Sequence, residues 1–125
     1  MTNSTSHTLC YAERRKYEIY DAGHAILYLN ESSCSLTDNN GDLVAGYSYT
    51  GDMPDGGTLV EASGVTDENR RDKFVAGLIG RSYDMDAQIA VLANGNDTPE
   101  HAAELEQFAR MRAECKKAVD EMLNR

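Results

Sequence analysis

The sequence predicts an α+β fold: an N-terminal antiparallel β-meander of about five strands followed by two or three C-terminal α-helices. Three observations predict it. Between residues 16 and 62, short runs of β-forming residues are separated by Gly, Asn and Asp turn signals. The connections between those runs are too short for the crossovers that parallel strands need. From Val65 onward the apolar residues recur at three and four, the period of a helix.

The elements follow in order. Tyr17, Ile19 and Asp21 alternate with Glu18 and Tyr20, Gly23 punctuates, and His24 to Leu29 forms a second strand. Asn30 to Ser33 turns the chain into Cys34–Thr37. The Asp38-Asn-Asn-Gly-Asp42 stretch is the strongest turn signal, because Asn and Gly tolerate positive φ. Leu43–Tyr49 is the fourth strand, Thr50–Gly57 a longer loop, and Thr58–Ala62 the fifth strand. Thr66 is the expected N-cap of the first helix, whose apolar face is Phe74, Val75, Leu78 and Ile79. Gly77 and Gly80 weaken it by about 1 kcal/mol each and suit close packing. A second short helix starts at Ser82–Asp84, buries Met85, Ile89, Leu92 and Ala93, and ends at Asn94-Gly95. Thr98-Pro99 opens the third, which runs to about Met122 on a stripe of Leu105, Phe108, Cys115, Val119 and Met122.

The 125 residues make one domain, with the sheet at 16–62, the helical part at 66–123 and residues 1–10 as a frayed tail. Apolar residues at 41% and charged residues at 26% are those of a globular chain that can bury a core. The net charge of −9 repels nucleic acid, so bulk DNA or RNA is not an expected partner. Cys10, Cys34 and Cys115 are odd in number, far apart and without metal spacing. They predict no disulfide framework and a reducing, cytoplasmic compartment. No apolar run approaches a membrane span and no signal peptide is read at the start, so no membrane is expected.

No catalytic motif is legible, and His7, His24 and His101 read as surface or sheet residues. No metal, cofactor or enzymatic activity is expected. The informative residue is Arg112. At about 100° per residue it falls about 20° from Leu105, inside the apolar stripe, with Lys116 beside it one turn on. A cation there needs an acid from a neighbouring helix, a route to solvent, or an anionic ligand. Arg71 lies near the centre of the first helix's apolar face, Arg81 at its edge, and Tyr83 follows. Arg71, Arg81, Tyr83, Arg112 and Lys116 suffice to hold a nucleotide-like ligand: the cations take phosphates and the ring stacks on a base. Asn94 can read a base edge or a ribose, or simply cap its helix.

The stretch Phe74-Val-Ala-Gly-Leu-Ile-Gly-Arg-Ser-Tyr-Asp-Met-Asp-Ala-Gln-Ile-Ala-Val-Leu-Ala-Asn94 resembles a module of small phage and prophage proteins of gut bacteria. Its pattern is an aliphatic pair, Arg-x-Tyr, an acidic helix start and an Ile/Leu-Ala step. A Pro-Glu helix with an aromatic and a late Cys-Lys follows, here Pro99-Glu100, Phe108 and Cys115-Lys116. The layout of sheet then helices is similar to the phage Thoeris anti-defence 1 family, nucleotide sponges that hold cyclic ADP-ribose-type immune signals at subunit interfaces without degrading them. The resemblance implies Tyr83, Asn94 and Arg112 as site residues, with Tyr where the family stacks Phe.

The expectation is therefore a phage counter-defence protein in the cytoplasm of an infected bacterial host, sequestering a small cyclic nucleotide without cleaving it. It is expected to be a homo-oligomer, dimer or higher, with the third helix serving both the core and a partner helix. The alternatives are a phage structural or assembly accessory protein, and an acidic inhibitor of a host protein.

Overall fold

The structure, a computed structural model, describes residues 5–125. The described residues form β1 (His7–Tyr11), β2 (Tyr17–Asp21), β3 (His24–Leu27), β4 (Ser32–Thr37), β5 (Leu43–Gly51) and β6 (Thr58–Glu61). The helices α1 (Arg70–Gly80), α2 (Met85–Asn94) and α3 (Pro99–Leu123) follow. The α+β class and the order of sheet then helices are those the sequence predicts. The strands, however, divide between two antiparallel sheets, ordered β1-β5-β4 and β2-β3-β6.

β1 accounts for the extra strand. Residues 7–10, assigned above to a frayed tail, pair in register with β5, Leu9 opposite Tyr49 and Cys10 opposite Ser48. The rest of that tail, residues 1–4, lies outside the described residues.

β1 and β4 flank β5 on opposite sides, yet Cys10 and Cys34 are joined by a disulfide with Cα atoms 6.1 Å apart. Strands two apart in a flat sheet are about 9.5 Å apart, so the sheet bends sharply about β5. Gly46 sits at the bend, where a Cβ would lie 2.7 Å from the Tyr11 carbonyl oxygen and 3.1 Å from Cys10 Sγ. The expectation of unpaired cysteines is thus corrected: their distance in sequence said nothing of their distance across a bent sheet. The reducing compartment inferred from it loses that support. Cys115 is the buried free thiol. Among the described residues no helix is long and apolar enough to cross a membrane.

β3 lies at the centre of the fold. Its run Ala25–Leu29 is buried at every position, as expected of a strand covered on both faces. Ala25, Leu27 and Leu29 join Val60, Ala62, Phe74, Val75, Ile79, Phe108, Val119 and Met122 in the core beneath the helices. Ile26 and Tyr28 point the other way, into a core shared with Tyr49, Tyr11, Met53 and Leu59 between the sheets. The layers are therefore helices, sheet, sheet.

The helix ends follow local chemistry. Thr66 and Asn69 exchange side-chain to backbone hydrogen bonds of 2.7 and 3.2 Å in a turn just before α1. The helix itself begins at Arg70, four residues after the expected cap. Asp84 caps α2 by accepting from Ala87 N–H at 2.7 Å, Gly95 ends it at φ 58°, and Thr98 with Pro99 opens α3. Gly77 lets α1 rest directly on β6, since a methyl there would collide with the Glu61 carbonyl oxygen.

The expected buried face of α2 is corrected. Met85, Ile89 and Leu92 are 67%, 57% and 59% exposed, Ala93 is exposed too, and Val91 is the buried residue. The helix is apolar around most of its circumference, so spacing alone did not say which side meets α3. The α3 stripe holds: Phe108, Cys115, Val119 and Met122 are buried. Those residues are used within the chain's own core.

Candidate functional site

The three helices enclose a groove of about 510 Å³. Its floor is Val75, Ile79 and Phe108, one wall is Met85 and Leu92 of α2, and the opposite rim carries Arg71, Arg112 and Lys116. Half of the predicted constellation is therefore brought together. Arg112 lies within the angular range of the α3 stripe but is exposed. Tyr83, just before α2, touches Phe108, and α3 continues beyond that point. The Arg112 guanidinium carbon stands 5.9 Å from the centre of the Phe108 ring.

The three cations differ in their engagements. Arg71 holds Asp120 of α3 through two hydrogen bonds, 2.6 Å from Nε and 3.2 Å from a terminal nitrogen. This places Asp120 below its ordinary carboxylate range and leaves Arg71 largely a clasp between α1 and α3. Among the described residues neither Arg112 nor Lys116 has an acid within ion-pair distance. Asp72 also lines the groove, 3.5 Å from Arg71; the groove thus offers two uncommitted cations above an apolar and aromatic floor, suited to an anion carrying a flat or apolar body.

The other predicted residues lie elsewhere. Arg81 and Tyr83 line a separate recess of about 890 Å³ between β6, α1 and the start of α2. Arg81 donates to the Leu59 carbonyl at 2.6 Å and meets Asp52 at 3.3 Å, while Asp52 accepts from Leu59 N–H at 3.2 Å. Together the two side chains satisfy the outward backbone groups of an edge strand, which blunts that edge against further pairing. Tyr83 sets its ring edge-on against Phe108, with centres 4.9 Å apart. Asn94 ends α2 and is among the lining residues of neither recess; its carbonyl accepts from Asp97 N–H at 3.4 Å.

His24 contacts Asp21 at 2.8 Å, His101 contacts Asp97, and His7 lies on β1. Among the described residues no cluster of His, Cys, Asp and Glu could hold a metal ion.

Sequence reasoning missed the polar cluster between the sheets. The Tyr49 hydroxyl donates to Glu31 at 2.8 Å and accepts from Arg15 N–H at 2.9 Å. The Tyr28 hydroxyl lies 2.7 Å from Glu18 and 2.8 Å from Asp55 and accepts from Arg15 at 3.2 Å. The Arg15 guanidinium stacks 4.0 Å from the Tyr11 ring centre. Arg125 enters from the end of α3, 3% exposed, donating to the carbonyls of Arg15 and Tyr28 at 2.9 and 2.6 Å. Its Nε has no hydrogen-bond partner and stands 3.4 Å from Glu31. Arg14 forks onto Glu31 and holds it below the ordinary carboxylate range; burial pushes the Tyr11, Tyr28 and Tyr49 hydroxyls up. These shifts favour the neutral hydroxyls, which act in the cluster as hydrogen-bond donors and acceptors. Its available signal was Arg14-Arg15-Lys16 between two strands, with tyrosines at 11, 28, 47 and 49.

Comparison of this chain with protein-family models, curated proteins and solved structures finds no match.

Proposed function

We propose that this protein acts by binding, capturing a small anion of the cyclic-nucleotide class in the groove between α1, α2 and α3 without cleaving it. The specific form of this reading is a phage counter-defence sponge for a cyclic ADP-ribose-type signal. One observation carries the proposal: in a chain of net charge −9, Arg112 and Lys116 stand without acid partners over Phe108, Val75 and Ile79. The cations would take phosphate oxygens and the floor a base or ribose face. Arg71 would contribute field rather than contact, being engaged by Asp120. Tyr83 reinforces Phe108 from behind, and Asn94 has no part in this groove.

Calorimetric titration with cyclic ADP-ribose isomers and cyclic oligonucleotides, followed by analysis of the ligand, tests the proposal. The expected outcome is saturable binding of intact ligand, abolished in Arg112→Ala with an unchanged circular dichroism spectrum. Arg112 is exposed, so its loss should leave the fold in place. Absence of binding across the panel would refute it.

A second reading, a phage assembly accessory or an inhibitor of a host protein, is favoured by the exposed apolar face of α2. Exposed apolar residues grouped on one helix face are a mark of protein contact.

A further inference from the structure

We infer that Asp120 is an internal competitor for the groove's anion: its carboxylate occupies Arg71 as a bound phosphate would, and so fixes the number of cations the site presents. This rests on the reading of the groove as an anion site and adds to it a contact that limits binding there.

α3 carries a row of three charged side chains at four-residue spacing, Arg112, Lys116 and Asp120. Residues so spaced follow one another along one side of a helix, each about 6 Å further on. The first two are cations that line the groove; Asp120, which ends the row, is not among its lining residues. Arg71 comes from α1 and lines the same groove. All three of its guanidinium nitrogens face carboxylates. Nε donates to one oxygen of Asp120 at 2.6 Å and a terminal nitrogen to the other at 3.2 Å, while the second terminal nitrogen stands 3.5 Å from Asp72. The paired contact to Asp120 is the fork that arginine also makes to a phosphate. An anion that takes the same edge of Arg71 must therefore displace Asp120. The two side chains are 45% and 44% exposed, so the exchange requires no opening of the core. Their contact holds Asp120 below its ordinary carboxylate range, which keeps the competitor charged at neutral pH. With Asp120 in place the groove presents two free cations, Arg112 and Lys116; without its charge it presents three.

Calorimetric titration with inorganic pyrophosphate at about 0.15 M salt tests the competition. Asp120→Asn keeps the shape of the side chain and removes its charge. It should bind pyrophosphate about tenfold more tightly than the wild type, the lower end for a hydrogen bond to a charged group. In the Arg71→Gln background the same change should gain no more than about twofold, because only the screened field of a half-exposed carboxylate is then removed. An Asp120→Asn chain that binds no more tightly than the wild type, an equal gain with and without Arg71, or no pyrophosphate binding by either chain would overturn the inference. Cyclic nucleotides take no part in this titration. A chain that binds pyrophosphate with the expected gain and ignores every nucleotide would refute the sponge reading and support the competition.

Discussion

The two faces of β3 are one residue apart in sequence and differ in what holds them. Toward the helices, Ala25, Leu27 and Leu29 meet Phe74, Ile79, Val119 and Met122, and the adhesion is the removal of aliphatic and aromatic surface from water. Toward the other sheet, Ile26 and Tyr28 meet Tyr11 and Tyr49, whose hydroxyls are tied to Glu18, Glu31, Asp55 and Arg15. The first face tolerates exchange of one apolar shape for another of equal volume. The second is a set of mutually dependent groups, in which removal of one leaves its partner buried and unsatisfied. A single strand thus separates a core governed by volume from one governed by hydrogen-bond completeness.

That contrast can be broken most heavily on the helix side. Phe74 is fully buried and stacks edge-on against Tyr17, with ring centres 4.7 Å apart. Phe74→Ala should cost about 3–5 kcal/mol in urea unfolding. On the other side, Tyr49→Phe keeps the ring and removes only the oxygen, leaving Arg15 N–H without its acceptor and Glu31 with Arg14 but not Tyr49 as donor. It should cost about 1–3 kcal/mol; a change within error would show that the hydroxyl network contributes nothing to stability.

The smallest effect expected is the one that sharpens the contrast, because the inter-sheet face gathers shifted carboxylate and phenol groups, whereas the helix side carries the burial-raised thiol of Cys115. Glu31 is more acidic in the folded chain than in the unfolded one, chiefly through its hydrogen bond to Arg14. Its contribution is full above the ordinary carboxylate range and is lost as pH falls through its lowered folded value. Tyr11, Tyr28 and Tyr49 are raised by burial from a usual value of 10.0. Their contribution is full below that pH and is lost as pH rises through the raised values. Unfolding free energy measured across pH should therefore fall at both ends, and Glu31→Gln should make the acid limb shallower, Asp21 and Asp120 supplying the rest of it.

Much of the fold was legible because its signals are local. Asp84, Gly95, Thr98 and Pro99 act on backbone groups within a turn of themselves, and the α3 stripe follows from helical period. What stayed hidden depends on partners far away in sequence. Nothing near Cys10 or Cys34 announces that β5 will bend and bring them together, and nothing in residues 7–11 says which strand they will join. α2 is apolar on several sides, so its period could not tell an inward residue from an outward one. The site divided for the same reason. Arg71, Arg112 and Lys116 converge because α1 and α3 pack against each other, which their stripes foretold. Arg81 was claimed by the backbone of β6, a neighbour that its own helix gives no hint of.

Arg125 makes the two cores depend on one another. Its guanidinium, carried from the end of α3, lies between the carbonyls of Arg15 and Tyr28 and beside Glu31. The helix that closes the aliphatic core on one side of β3 thus also supplies a buried cation to the polar core on the other, so that displacing α3 would open both faces of the central strand at once.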